Sequence, residues 1–259
     1  MVSQAPTLTS VVEQGIATVT INDPGRRNAL TPATLRALIR DCERLDADPA
    51  VRVLAVRGHG ADFSAGVAID HLEEALLGAP DGGLLTAACR ALARVRVPTL
   101  ALLRGVCMGG AWQLAASADM SLAAQDVRVA ITPAKLGLIL PEPGVRLLAR
   151  RVGLDRARYL LFTGDEVSSA RAEAWGLVTQ VVPASEFDAA AAGWCARLRD
   201  RSDFTQAAVG CLLAEEPISA GPDGNFARYW AALAGSEDLA LGTDAFARKE
   251  SPQFTWRRQ

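Results

Sequence analysis

Apolar and polar positions along the chain fall into two rhythms. Residues 8–14 and 16–21, LTSVVEQ and IATVTI, crowd β-branched side chains on either side of Gly15 and predict a hairpin of strands that ends at Asn22-Asp23-Pro24-Gly25. Thr31 followed by Pro32 is a helix-start signal, and Leu35, Leu38, Ile39, Cys42 and Leu45 then recur at helical spacing until Asp48-Pro49. Residues 51–56, VRVLAV, predict a buried strand followed by a Gly-His-Gly turn that leaves His59 exposed. A helical stretch over 84–95 leads to a second buried strand, 99–103, which runs into Gly105 and the pair Gly109-Gly110. Strands at 119–123 and 128–131 follow, then helices at about 144–151, 155–162 and 168–175, and a strand at 177–182. From about 185 the pattern is helical, including 187–198, with breaks at Pro217 and Gly221-Pro222.

Alternation of strands and helices predicts an α/β protein with mostly parallel strands. The division expected is a β/α core over 1–190 and a helical part over 191–259, with no low-complexity linker between them. The helical part therefore packs on the core or on a neighbouring subunit. Its apolar Phe226, Tyr229, Trp230, Leu233 and Leu239 make a surface too large to leave in water, which favours burial between subunits.

Composition narrows the class further. The chain has 259 residues, 50% of them apolar, enough for a sizeable core. A formal charge of −2 with no run of like sign argues against nucleic acid or an anionic membrane surface as partner. Cys42, Cys89, Cys107, Cys195 and Cys211 are far apart and form no CxxC pair, as expected of reduced thiols in a cytoplasmic protein. The opening MVSQAPTLTSVVEQ has no basic leader or apolar core, and no apolar run approaches the ~20 residues of a membrane span. Two histidines, His59 and His71, without a Cys/His cluster predict no metal.

Two strand-to-turn junctions carry the candidate chemistry: residues 63–70, Phe-Ser-Ala-Gly-Val-Ala-Ile-Asp, and residues 104–115, Arg-Gly-Val-Cys-Met-Gly-Gly-Ala-Trp-Gln-Leu-Ala. Each places small residues between a buried strand and a helix start, where main-chain N–H groups lack an intrahelical acceptor and can face an anion. Alone, each segment reads equally as a tight turn that permits close helix–strand packing. Together they resemble the crotonase (enoyl-CoA hydratase/isomerase) family, whose F-[SA]-A-G-x-D-[IL] and N-G-x-x-x-G-G-G-x-E-L motifs lie at a similar separation. The resemblance continues through residues 132–138, Thr-Pro-Ala-Lys-Leu-Gly-Leu, and 161–164, Leu-Phe-Thr-Gly, then Ala170, Ala174 and Gly176, to Ser236-Glu237-Asp238, Gly242, Ala245, Phe246 and Lys249. It implies a spiral of repeated ββα units with a C-terminal helical trimerisation region, and hence a homotrimer or hexamer.

By that resemblance the N–H groups of Val67 and Gly110 form an oxyanion hole for a thioester carbonyl. The substrate is an acyl-CoA or an acyl-carrier-protein thioester, and coenzyme A enters as part of it, with no separate cofactor. Gln113 and Pro133 stand where hydratases of the family carry their two glutamates. Neither can act as a general acid or base, although Gln113 can orient a water or a substrate carbonyl. Glu142, between Pro141 and Pro143, lies near a position where some relatives place a working carboxylate; it reads equally as a solvent-exposed helix-start residue. Ala65, Asp70, His71, Pro133 and Leu140 are implied to border the substrate, with a surface helix turn the competing assignment for Asp70 and His71. Arg27 is implied near the nucleotide phosphates, and Phe246 with Lys249 near the adenine from a neighbouring subunit; the alternatives are an exposed arginine and a core phenylalanine. The reaction expected is isomerisation or decarboxylation through a stabilised enolate. A hydratase with an atypical acid/base, or a catalytically silent acyl-CoA-binding protein, remains the alternative.

Overall fold

The computed structural model describes residues 7–79, 81–213, 228 and 232–257; of the apolar C-terminal residues named above, Phe226, Tyr229 and Trp230 lie outside these. Strands β1 (Thr7–Glu13) and β2 (Ile16–Asn22) form the expected antiparallel hairpin, in register from Thr7 opposite Asn22 to Glu13 opposite Ile16. Gln14 and Gly15 both take positive φ, the backbone twist that a two-residue hairpin turn needs. Helix α1 (Pro32–Ala47) starts where Thr31 caps it, its hydroxyl accepting from the Thr34 N–H at 3.2 Å with Pro32 in the first turn. It buries Leu35, Leu38, Cys42 and Leu45.

Next come β3 (Val53–Gly58), α2 (Gly83–Ala93), β4 (Thr99–Leu103), β5 (Val106–Met108), α3 (Gly110–Ala116), β6 (Met120–Ala124) and β7 (Arg128–Ala130). Then follow α4 (Glu142–Val152), α5 (Leu154–Thr163), β8 (Glu166–Ser168), α6 (Ser169–Trp175), β9 (Gln180–Val182), α7 (Phe187–Arg199), α8 (Asp203–Leu213) and α9 (Glu237–Arg248). A six-stranded sheet runs in the order β1-β2-β3-β4-β6-β9, parallel from β2 onward, and a three-stranded sheet runs β5-β7-β8. Successive turns of chain feed both sheets. β6 is followed by β7 and β4 by β5, while β3 is followed by Ser64, which bridges to Cys107 of β5. Repetition of this strand pair, with helices between, builds the spiral.

Two short strands, β5 and β8, were not foreseen, because three residues carry no readable alternation. The strand expected at 177–182 begins only at Gln180. Leu177 and Val178 instead donate their N–H groups to Ala172 O, closing α6 behind a left-handed Gly176. Alternation in β3 decides what each face of the large sheet buries. Leu54 and Val56 point into the main core with α1 and α2, whereas Val53 and Ala55 join Leu100, Leu102, Leu122 and Ala124 against Phe187, Ala191 and Cys195 of α7. Helix α7 therefore crosses residue 190 and covers the core's second face. Helix α8 is tied to the same body by the Arg52–Asp203 ion pair at 2.8 Å, both side chains largely buried. The chain beyond α9 is tied by Asp238, which accepts from Ser202 Oγ and from the N–H groups of Thr255 and Trp256.

Candidate active site

The two glycine-bearing junctions meet. Leu30 N–H donates to Gly66 O and Ala68 N–H to Leu30 O, a parallel bridge centred on Val67. Its neighbours' bonds run to Leu30, so the Val67 N–H faces the opposite side and donates to no acceptor within the described chain. On that side lies β5. Met108 N–H donates to Ser64 O at 3.2 Å and Ser64 N–H to Val106 O at 3.0 Å, so the two junctions run together. Gly66 takes φ +94 because a Cβ there would stand 2.6 Å from Met108 O and 3.6 Å from Gly110 N. Gly109, at φ 54 and ψ −118, turns the chain from β5 into α3, and Gly110 opens that helix with its N–H donating to no acceptor among the described residues. A Cβ on Gly110 would be 3.0 Å from both Val67 Cγ2 and Leu85 Cδ2, so apolar side chains crowd the second donor. Two preorganised main-chain donors in apolar surroundings are an arrangement that can hold negative charge on an oxygen.

Asn28 holds the outer wall. Fully buried and left-handed at φ 58, it accepts from Asp23 N–H at 2.9 Å and donates to His59 O and Asp62 O at 2.9 and 2.7 Å. The same stretch presents Arg27, whose carbonyl accepts from Ala65 N–H and whose side chain is 60% exposed, 3.6 Å from Asp62. The role of Asn28 was missed, although an Asn that tolerates left-handed backbone after two arginines, between turn and helix start, is a signal of the kind.

Helix α3 is buried along its whole length, anchored by Trp112 Nε1–H donating to Leu177 O. Gln113, on the same helical face as Gly110 one turn on, is 1% exposed. Among the described residues its Oε1 has no hydrogen-bond partner, and it abuts Gly144, where a Cβ would stand 2.5 Å away. Leu140 Cγ is 3.1 Å from the same point, so the loop into α4 closes over the Gln113 carboxamide. Thr132 Oγ1 lies 3.3 Å from the place of a Cβ on Gly109, beside the second junction, and half-buried Pro133 follows it. Leu85 and Gly144 carry no role in the sequence reading; Pro-Glu-Pro-Gly at 141–144 is the one local signal for Gly144.

Both expected carboxylates face solvent. Glu142 is the first residue of α4; its side chain is 72% exposed and paired with Arg146 at 2.7 Å. The flanking prolines start the helix and do not turn the carboxylate inward, so the helix-start reading of Glu142 is the one the geometry has. Asp70 and His71 form an exposed single turn after the first junction. The Arg26 guanidinium, hydrogen-bonded to Asp70, holds its carboxyl below the usual carboxylate range. Phe246, expected either at an adenine or in the core, is 85% exposed on α9, and Lys249 ends that helix in a left-handed turn. Neither contacts the site residues within this chain. Among the described residues, no three His, Cys, Asp or Glu side chains come together as metal ligands.

A β/α spiral thus brings two main-chain N–H groups without acceptors in the described chain close together, on a buried helix that also carries the Gln113 carboxamide. The family described as enoyl-CoA hydratase/isomerase matches residues 11–257, and the chain belongs to that family. A 1,2-epoxyphenylacetyl-CoA isomerase of Escherichia coli is 31% identical over 259 residues, covering 95% of this chain and 97% of that protein. A 2,3-dehydroadipyl-CoA hydratase of the same organism is 26% identical over 247 residues, covering 95% and 97%. The solved structure of an enoyl-CoA hydratase/isomerase family member superimposes with a TM-score of 0.93 at 38% identity, covering 98% of this chain and 100% of that one. The fold is the crotonase fold.

Proposed function

We propose that the protein is an enzyme that binds an acyl thioester, on coenzyme A or an acyl-carrier protein, and stabilises its enolate between the Val67 and Gly110 N–H groups. Isomerisation or decarboxylation is favoured over hydration. The observation that supports this reading is that Gln113 and Pro133 stand at the positions where hydratases of the family carry glutamates, while Glu142 and Asp70 are exposed and paired with arginines. Hydration needs a base for the attacking water and an acid for the α-carbon. Decarboxylation asks least of the side chains: the C–C bond to carbon dioxide breaks, its electron pair becomes the enolate, and water can protonate the α-carbon.

Isomerisation is the second reading. The Glu142–Arg146 pair is exposed, and such pairs contribute only about 0–1 kcal/mol, so rotation of the carboxylate about its side chain is cheap. In this reading Arg27 meets the nucleotide phosphates, and exposed Phe246 with Lys249 meets the adenine from a neighbouring subunit of a homotrimer or hexamer. Coenzyme A enters with the substrate, no resident cofactor takes part, and the protein works in the cytoplasm. Turnover of a panel of α,β-enoyl, β,γ-enoyl and malonyl-type thioesters tests the reading. Faster reaction of the last two supports it. Binding without any turnover makes the protein a silent acyl-CoA-binding member of the family, and absence of binding refutes the reading.

A further inference from the structure

The two junctions run side by side as a short parallel ladder, with Ser64 N–H donating to Val106 O and Met108 N–H to Ser64 O. Continued backwards, a regular ladder would have Val106 N–H donate to Asp62 O. That carbonyl is already taken. Asn28 Nδ2 donates to it at 2.7 Å, and Gly58 packs so closely that a Cβ there would stand 2.1 Å from it. The Asp62 side chain supplies the acceptor instead: Val106 N–H donates to its Oδ1 at 2.9 Å. Gly105 leaves the room for this, because a Cβ there would stand 2.3 Å from the same Oδ1. The other carboxylate oxygen faces Arg27 Nε at 3.6 Å. One residue thus joins the Arg27–Asn28 wall, the first junction and the second. Its side chain is only 21% exposed, so the bond to Val106 N–H is charge-assisted and poorly replaced by water.

Building on the thioester reading, with Val67 and Gly110 as its oxyanion donors, we propose that Asp62 is a positioning residue for both. Its carboxylate sets the spacing of the two junctions and, through them, the spacing of the two N–H groups. Strand β5 starts at Val106 and has three residues, so few rungs share the task, and the loss of one is not averaged away. What the task needs is an oxygen acceptor at the place of Oδ1. A neutral side chain of the same shape meets that need, and a methyl does not.

The test is the infrared stretch of a thioester carbonyl bound to the full chain, with butyryl-CoA isotope-labelled at that carbonyl as the probe. Two donors on the oxygen weaken the C=O bond, so the unaltered protein should lower the frequency relative to the free thioester. Asp62→Asn, which keeps an oxygen at the place of Oδ1 and removes the charge facing Arg27, should retain that downshift. Asp62→Ala should lose at least about half of it, with circular dichroism showing a folded chain. Asp62→Ser, whose shorter side chain does not span to Val106, takes its place with the same expectation if Asp62→Ala does not fold. A downshift undiminished in these variants, whatever their Tm, makes Asp62 a structural residue and overturns the inference. An equal loss in Asp62→Asn also overturns it, because the effect would then belong to the charge on Arg27. Both results leave the thioester reading standing. Butyryl-CoA bound without a downshift in the unaltered protein overturns the oxyanion reading and the inference with it, and failure to bind overturns the thioester reading as well.

Discussion

Gly66→Ala is the substitution that acts most directly on the geometry of the two donors. Residue 66 sits at φ +94, a conformation that costs a residue with a Cβ roughly 1–2 kcal/mol. The added methyl would also stand 2.6 Å from Met108 O, well inside contact distance, and that oxygen belongs to backbone that cannot swing aside. Met108 N–H is bonded to Ser64 O and Gly109 N–H to Ala130 O at 2.8 Å, which fixes β5 from both sides. Relief must come from the 65–68 stretch moving several tenths of an ångström outward, carrying the Val67 N–H away from Gly110. Strain and lost packing together should destabilise the chain by about 2–4 kcal/mol, lowering Tm by roughly 5–12 °C for a protein of this size. Turnover of whichever thioester the panel identifies should fall about 10²–10³-fold, the usual cost of a displaced oxyanion donor. The assays are thermal unfolding followed by circular dichroism and steady-state kinetics on the same preparation. A variant within 2 °C of the parent and retaining more than about a third of its kcat would refute the close approach of the two junctions.

Glu142→Gln preserves shape and removes the charge. Because the carboxylate is exposed and paired with Arg146, decarboxylation should change by less than about tenfold, and a loss of 10²-fold or more would make Glu142 the swung-in base of the isomerase reading. Burial pushes the thiols of Cys42 and Cys89 up to about 12, and those of Cys107 and Cys195 above the ordinary range. A raised folded-state pKa means that stability is fully present below the unfolded thiol value of about 8.5 and declines as pH rises through it. Native protein at pH 8 should thus react with a disulfide reagent at Cys211 alone and at all five cysteines in denaturant; rapid labelling of a second thiol in the native state would contradict the buried placement. Light scattering at micromolar concentration should give a trimer or its double, and a monomer would contradict burial of exposed apolar positions such as Leu239 and Phe246 between subunits.

Long elements were legible because their periodicity is long. Helix α1 was bounded by Thr31 at one end and Asp48-Pro49 at the other, and β4 fell at the residues expected. What failed to show was structure made by tertiary pairing alone. Three-residue strands such as β5 carry no pattern of their own and exist because a neighbouring strand accepts them. The two junctions could be picked out by their glycines, yet nothing local said that Val67 would be turned away from Leu30 or that Gly66 would touch Met108. Those facts depend on residues about 40 positions apart meeting in one sheet. Glu142 illustrates the opposite difficulty, since a carboxylate between two prolines fits a pocket or a helix start until the course of α4 is known. Gln113 was noted as a departure from a family pattern, but its lack of a partner follows only from how Gly144 and Leu140 close over it.

Hydration of crotonyl-CoA by the unaltered protein separates the proposed thioester site lacking an acid–base pair from an ordinary hydratase. Loss of a general acid or base removes about 10²–10⁴-fold in rate, so crotonyl-CoA should bind and be hydrated with kcat/KM well below the ordinary range. Gln113→Glu combined with Pro133→Glu should raise that rate. Hydration by the unaltered protein at a kcat/KM of about 10⁴ M⁻¹s⁻¹ or more would contradict the account, because it would require an acid and a base where Gln113 and Pro133 stand.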